Sequence, residues 1–166
     1  MTDFGKYKDI AYKIIGAAMN VHREMKYGLA EEVYNECLCI ELKNIGLDNV
    51  SEVYLPVYYK GQLLKKYYKM DIVVGDIIVE LKSVRDINSA HRAQLFNYLR
   101  ITEKPVGLLI NFGQPSLVGE RYGYVKENNE CVVLDRNMDI KNVDYIDWSY
   151  EENKNELYKS FDKNNF

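Results

Sequence analysis

The chain has 166 residues, 47% of them hydrophobic and 28% charged, the proportions of one globular domain with a full-sized core. Its formal net charge of −3 argues against a protein that coats DNA through a strong positive field, and leaves room for an enzyme whose site is itself acidic. Cys37, Cys39 and Cys131 are an odd number without zinc-ligand spacing, so they read as reduced and packed, as in the cytoplasm. The start MTDFGKYKDIAYKII lacks an export pattern, and no apolar run reaches membrane-spanning length. The expectation is a soluble cytoplasmic protein with no membrane partner.

In chain order, Ile10, Ile14, Ala17, Ala18 and Val21 recur at helical spacing and predict a helix from about Tyr7 to Met25, broken at Tyr27-Gly28. A second helix is expected from Ala30 to Asn44, stopped by Gly46. Glu31 falls in line with Leu38 and Leu42 on that helix and points inward, whereas Glu32 and Glu36 project to the polar side. Glu41 shares the apolar sector and is a rival. An inward Glu31 either joins a metal site or complements the helix macrodipole.

The period then alternates. Strands are predicted over Ser51 to Tyr59, Leu63 to Val74 and Ile77 to Ser83, with turns at Lys60-Gly61-Gln62 and Gly75-Asp76. Glycine first in a two-residue loop favours a type II′ turn. A third helix spans Asn88 to Ile101, with Pro105 ending the segment. Val106 to Asn111 (VGLLIN) reads as a strand covered on both faces. Gly119 to Val125 and Cys131 to Leu134 form a last hairpin. The order α-α-β-β-β-α-β predicts a mixed α/β sandwich, with residues 1–135 as the domain and 136–166 as a polar extension, a peripheral helix or flexible tail.

The stretch DIVVGDIIVELK holds the main candidate site. With Gly75-Asp76 as the loop, Val74 faces Ile77, Ile72 faces Val79 and Asp71 faces Glu80. Side chains alternate along a strand, so Asp71, Glu80 and Lys82 share one face. Two opposed carboxylates repel, and burial raises that cost. A divalent cation removes the objection, because Mg²⁺ or Mn²⁺ takes hard oxygen ligands. A neighbouring lysine can then serve the attacking water or the phosphate. The bland alternative is a solvated surface hairpin, against which stand the flanking Ile77, Ile78, Val79 and Leu81.

On the third helix, His91, Gln94 and Tyr98 lie along one face. Gln94 and Tyr98 suit a phosphate oxygen or a base, and equally a satisfied polar pair at the core's edge. His91 reads as a contact or a structural histidine. Arg85, Arg92 and Arg100 suit phosphates or simple solvation.

These residues resemble a known family. Gly28-Leu29-Ala30-Glu31-Glu32-Val33-Tyr34 fits the pattern that names the GxxExxY proteins, and Ile15 to Glu24 resembles the segment before it. Asp71 with Val79-Glu80-Leu81-Lys82-Ser83, then His91 to Arg100 and Val106 to Gly113, resemble its later blocks, over about residues 8–125. That family is placed in the PD-(D/E)XK nuclease superfamily. The resemblance implies a restriction-endonuclease-like core, a central mixed β-sheet flanked by α-helices. It implies Mg²⁺ (or Mn²⁺) held by Asp71, Glu80, the Leu81 carbonyl and Glu31, with Lys82 catalytic. Gln94-x-x-x-Tyr98 resembles the DNA-positioning motif of the RecB-like and lambda-exonuclease-like branches, flanked by His91 and Arg92. Met70 stands where the superfamily often has proline. The functional expectation is a metal-dependent nuclease acting on DNA, the alternatives being an RNA substrate or a binding module with little turnover. A homodimer is compatible with each.

Overall fold

In the computed structural model, which describes residues 2–141, the expected helices and strands form within a residue of their anticipated bounds. A short 3₁₀ turn, Phe4–Tyr7, precedes them and was not anticipated. The polar extension beyond Lys141 lies outside the described residues. Met138 is buried in the core and Ile140 bridges to Leu134, so packing continues past residue 135. Among the described residues, no helix is long and apolar enough to cross a membrane.

Helix α1 (Lys8–Met25) buries Ala11, Ile14, Ile15, Ala17, Ala18 and Val21 along one stripe. Helix α2 (Glu31–Asn44) buries Tyr34, Leu38 and Leu42. It ends where the Leu47 N–H donates to Leu42 O and the Gly46 N–H to Lys43 O, with Gly46 at φ 79°. This paired closure satisfies carbonyls that the last helical turn leaves free, and the positive φ favours glycine. Helix α3 (Ser89–Thr102) starts at Asn88.

Six strands form one sheet in sequential order: β1 (Val50–Tyr59), β2 (Gln62–Val74), β3 (Ile77–Lys82), β4 (Val106–Asn111), β5 (Val118–Val125) and β6 (Glu130–Leu134). Only β3 and β4 run parallel, joined by the crossover through α3. Both are buried almost end to end, as their continuous apolar runs require. Ile72, Val79, Leu81, Leu108 and Ile110 pack with α1 and α2 on one face. Ile78, Leu109 and Tyr122 pack with Leu95, Phe96 and Leu99 of α3 on the other. Each fully buried aliphatic side chain stabilises by about 1.5–3 kcal/mol. This is the mixed α/β sandwich expected from the element order, and the central mixed β-sheet flanked by α-helices that the resemblance implies.

The β2–β3 hairpin carries the site. Val74 faces Ile77, Val73 faces Ile78 and Ile72 faces Val79, as expected. Of the two loop residues, only Gly75 has positive φ (56°), as a type II′ turn requires. The anticipated Asp71–Glu80 backbone pair does not form, because the ladder stops at Ile72–Val79. Instead, Asp71 Oδ2 accepts the Leu81 N–H at 2.8 Å. The carboxylate takes the place of a strand carbonyl and is thereby held against β3.

Close approaches fix the ends of the central strands. Asn111, fully buried, accepts from the N–H groups of Val84 and Gly113 and donates to Val84 O. A Cβ on Gly113 would collide with the Val84 backbone, so this crossing of the β3 and β4 exits admits only glycine.

Candidate active site

Glu80 projects from the centre of β3 toward α3 and is 2% exposed. Its row across the sheet is Glu80, Leu109, Glu120. An ionised carboxylate there would be strongly disfavoured without compensation. One oxygen, Oε1, lies 3.4 Å from Lys82 Nζ. The other, Oε2, is buried with no hydrogen-bond partner. Burial first, and the Asp71 charge second, push the Glu80 carboxyl up to about 9. At neutral pH without a cation it therefore keeps its proton, and Lys82 faces it as a charge against a dipole.

Asp71 is also raised, by burial, against the lowering effects of the Leu81 N–H, the Glu80 carboxyl and the lysines Lys82 and Lys69. The two acids are coupled, the Asp71 charge raising Glu80 while the neighbouring Glu80 carboxyl lowers Asp71. Such a pair titrates as a unit, with one acid retaining its proton. Asp71, Glu80 and Lys82 thus lie beside one another as the hairpin register led one to expect, with Asp71 held by its bond to the Leu81 N–H rather than by a ladder pair with Glu80.

Lys82 is held from the helix side. Its Nζ donates to Gln94 Oε1 at 3.0 Å, Gln94 Nε2 donates to the Tyr98 hydroxyl at 2.8 Å, and that hydroxyl donates to Lys69 O at 3.2 Å. Burial and the nearby Glu80 charge raise the Tyr98 hydroxyl to about 12, so it stays a donor. The chain of bonds orients each member through the next. Gln94 and Tyr98 are joined one turn apart, as the sequence reading allowed, and their polar atoms serve the lysine.

Glu31 opens α2 and lines a cleft of about 380 Å³ together with Asn35, Glu36, Ser51, Lys69 and Asp71. Glu32 and Glu52 also line this cleft. Asn35 Nδ2 donates to the Asp71 carbonyl at 3.3 Å, which ties α2 to the hairpin. Among the described residues, no three His, Cys, Asp or Glu side chains are grouped closely enough to hold a metal. Glu31 therefore shares a cleft with Asp71 without completing a three-carboxylate cluster.

His91 and Arg92 are engaged elsewhere. His91 Nδ1 accepts the Asn88 N–H at 3.2 Å while Asn88 Oδ1 accepts the His91 N–H at 3.0 Å, a reciprocal cap on α3. Burial, then the charges of Lys82 and Arg92, lowers the imidazole and keeps it neutral. Arg92 is 1% exposed, with Nε and Nη2 donating to the two Glu120 oxygens at 2.9 and 2.7 Å. A guanidinium committed to the core does not face a phosphate backbone. Sequence reasoning missed Glu120 altogether. The Asn88-x-x-His91 spacing was the signal that could have revealed the cap.

The donor set suits a divalent cation. Asp71, Glu80 and the Leu81 carbonyl are hard oxygens, and the unpartnered Glu80 Oε2 is the kind of buried atom that a cation would satisfy. The sequence profile of the PD-(D/E)XK nuclease superfamily matches residues 8–122, a span that includes Glu31, Asp71, Glu80, Lys82, Gln94 and Tyr98. No curated protein matches the chain. A solved structure titled "Crystal structure of SSO0001" is similar at 14% identity and a TM-score of 0.46, over 75% of this chain. The match spans 64% of that structure's own length.

Proposed function

Because the chain belongs to the PD-(D/E)XK nuclease superfamily, we propose that it is a metal-dependent nuclease that hydrolyses phosphodiester bonds of DNA. The observation that carries this reading is Glu80: a buried acid on a central strand, beside Asp71 and Lys82, with one oxygen unmet by any protein donor. Within the superfamily we assign the chain to the GxxExxY group, on Gly28, Glu31 and Tyr34.

Asp71, Glu80 and the Leu81 carbonyl would hold Mg²⁺ or Mn²⁺, with Glu31 acting from the cleft wall. A bound cation would supply Lewis acidity toward charge developing on the phosphate. Lys82 presents an ammonium to the attacking water and the phosphate. Gln94 and Tyr98 act first as positioning residues, since their polar atoms fix the lysine. His91 retains Nε2 for a contact with the strand. Arg92 is given no contact, because Glu120 occupies it.

A second reading, a binding module with little turnover, is favoured by the cleft rim. Glu31, Glu32, Glu36 and Glu52 stand there against Lys69, an acidic field that slows entry of a polyanion to the chemistry unless a bound cation offsets it. The test is cleavage of single- and double-stranded DNA and of RNA with Mg²⁺ or Mn²⁺, comparing wild type with Asp71→Ala, Glu80→Ala and Lys82→Ala. Cleavage by wild type alone supports the nuclease. Equal cleavage by all four sinks the residue assignment, and binding without cleavage selects the module.

A further inference from the structure

The β1–β2 hairpin outgrows the sheet. β2 pairs with β3 from Ile72 to Val74, while from Gln62 to Lys69 its ladder runs to β1. At about 3.3 Å per residue, this makes a two-stranded arm extending roughly 25 Å. A lone hairpin is marginal in water, and this one is anchored on one face only. Leu55 and Met70 are buried there with α3, and Tyr68 packs against them.

The opposite face of the arm is exposed. Tyr54 and Tyr67 are 54% and 52% exposed, with ring centroids 4.6 Å apart. Lys69 is the strand partner of Tyr54, exposed beside it in a surface ion pair with Glu52 at 3.5 Å. Farther out stand Tyr58 and Tyr59, also exposed. Residues 50–70 hold five of the fifteen tyrosines, and four lysines against Glu52 alone, in a chain of net charge −3. Lys60 lies over the Tyr59 ring at 5.4 Å and Lys66 over Tyr68 at 5.3 Å.

Flat rings with polar tips, interleaved with ammonium groups, match the chemistry of bases and phosphates. The arm concentrates positive charge in an otherwise acidic molecule, so a polyanion meets it most favourably there. It also leads to the chemistry, because Lys69 lines the cleft that contains Asp71. We propose that this arm binds single-stranded DNA: Tyr54 and Tyr67 stack on bases, Lys65 and Lys69 of the same face pair with phosphates, and the strand runs from the arm into the Asp71 cleft. The destination rests on the nuclease reading above, whereas binding by the arm does not.

The experiment is anisotropy of a labelled single-stranded oligodeoxynucleotide with the full chain in EDTA, where metal-dependent cleavage is silent. The paired variant Tyr54→Ala/Tyr67→Ala should weaken binding about tenfold or more. Tyr54→Phe/Tyr67→Phe, which keeps the rings, should bind as wild type, and this separates stacking from any loss of fold. Lys65→Ala/Lys69→Ala should reduce the slope of log affinity against log salt by about 1.4, two phosphate contacts' worth. Wild-type affinity in both alanine variants overturns the arm and leaves the nuclease reading intact. Lost binding in the variants, with wild type never cleaving, supports the arm and rejects the nuclease. If sedimentation shows that Tyr54→Ala/Tyr67→Ala splits a dimer while DNA affinity is unchanged, the face joins two copies and the proposal fails.

Discussion

Two glutamates in one row of the sheet receive opposite treatment. Glu80 and Glu120 are each 2% exposed, both face α3, and Leu109 stands between them. Glu120 has both oxygens bonded by Arg92, and the Tyr122 hydroxyl donates to one of them. Glu80 has an acid and a lysine beside it and one oxygen unmet. Helix α3 supplies Arg92 to the first, and to the second only Gln94, which reaches Lys82 instead. A buried carboxylate that serves the fold is compensated by the protein. One left short of partners stores a demand that a ligand can meet.

The largest expected effect is on the compensated pair. Arg92→Met should cost about 3–5 kcal/mol, because Glu120 is left buried and uncompensated. Urea denaturation reads this directly. Adding Glu120→Leu should recover most of it, and a double variant no more stable than Arg92→Met would contradict the pairing account. Next comes Glu80→Gln, expected to lower cleavage by about 10²–10³-fold while leaving the metal-free melting temperature equal or higher. A large stability loss in that variant would place Glu80 in the same class as Glu120.

Gln94→Ala should lower kcat by roughly ten- to a hundredfold, the worth of one charged hydrogen bond at Lys82, with KM nearly unchanged. A rise in KM with steady kcat would mean that Gln94 binds the strand rather than positions the lysine. The last effect concerns pH. The Glu80 carboxyl is raised to about 9, so the folded protein holds a proton there that the unfolded chain releases above the ordinary carboxylate range. Its contribution is fully present at acid pH and is lost as pH rises through that value. Melting of the metal-free protein should therefore weaken progressively from about pH 5 to 9, and Glu80→Gln should flatten this component. An unchanged profile would show that the proton resides elsewhere.

Much of this was legible in the sequence because it is local. Gly75 marked the loop, and the loop fixed which residues of β2 and β3 share a face. Ile77, Ile78, Val79 and Leu81 marked a strand covered on both sides. What escaped notice depends on distance or on side chains acting as backbone. Arg92 and Glu120 are 28 residues apart, and nothing in their own neighbourhoods announces the pair. Arg92 consequently read as a surface cation. Asp71 looked like a ladder residue, but its carboxylate replaces the ladder bond at Leu81. The link from Lys82 to Gln94 joins a strand to a helix across a crossover, a meeting that periodicity alone does not reveal.

The central claim is that Glu80 is left unsatisfied so that it can take a cation with Asp71. Calorimetric titration of the metal-free protein with Mn²⁺ tests it most directly, comparing wild type with Glu80→Gln and using Arg92→Met/Glu120→Leu as the structural control. The account predicts saturable binding by wild type and by the control, and its loss in Glu80→Gln. Equal Mn²⁺ affinity in wild type and Glu80→Gln would contradict it.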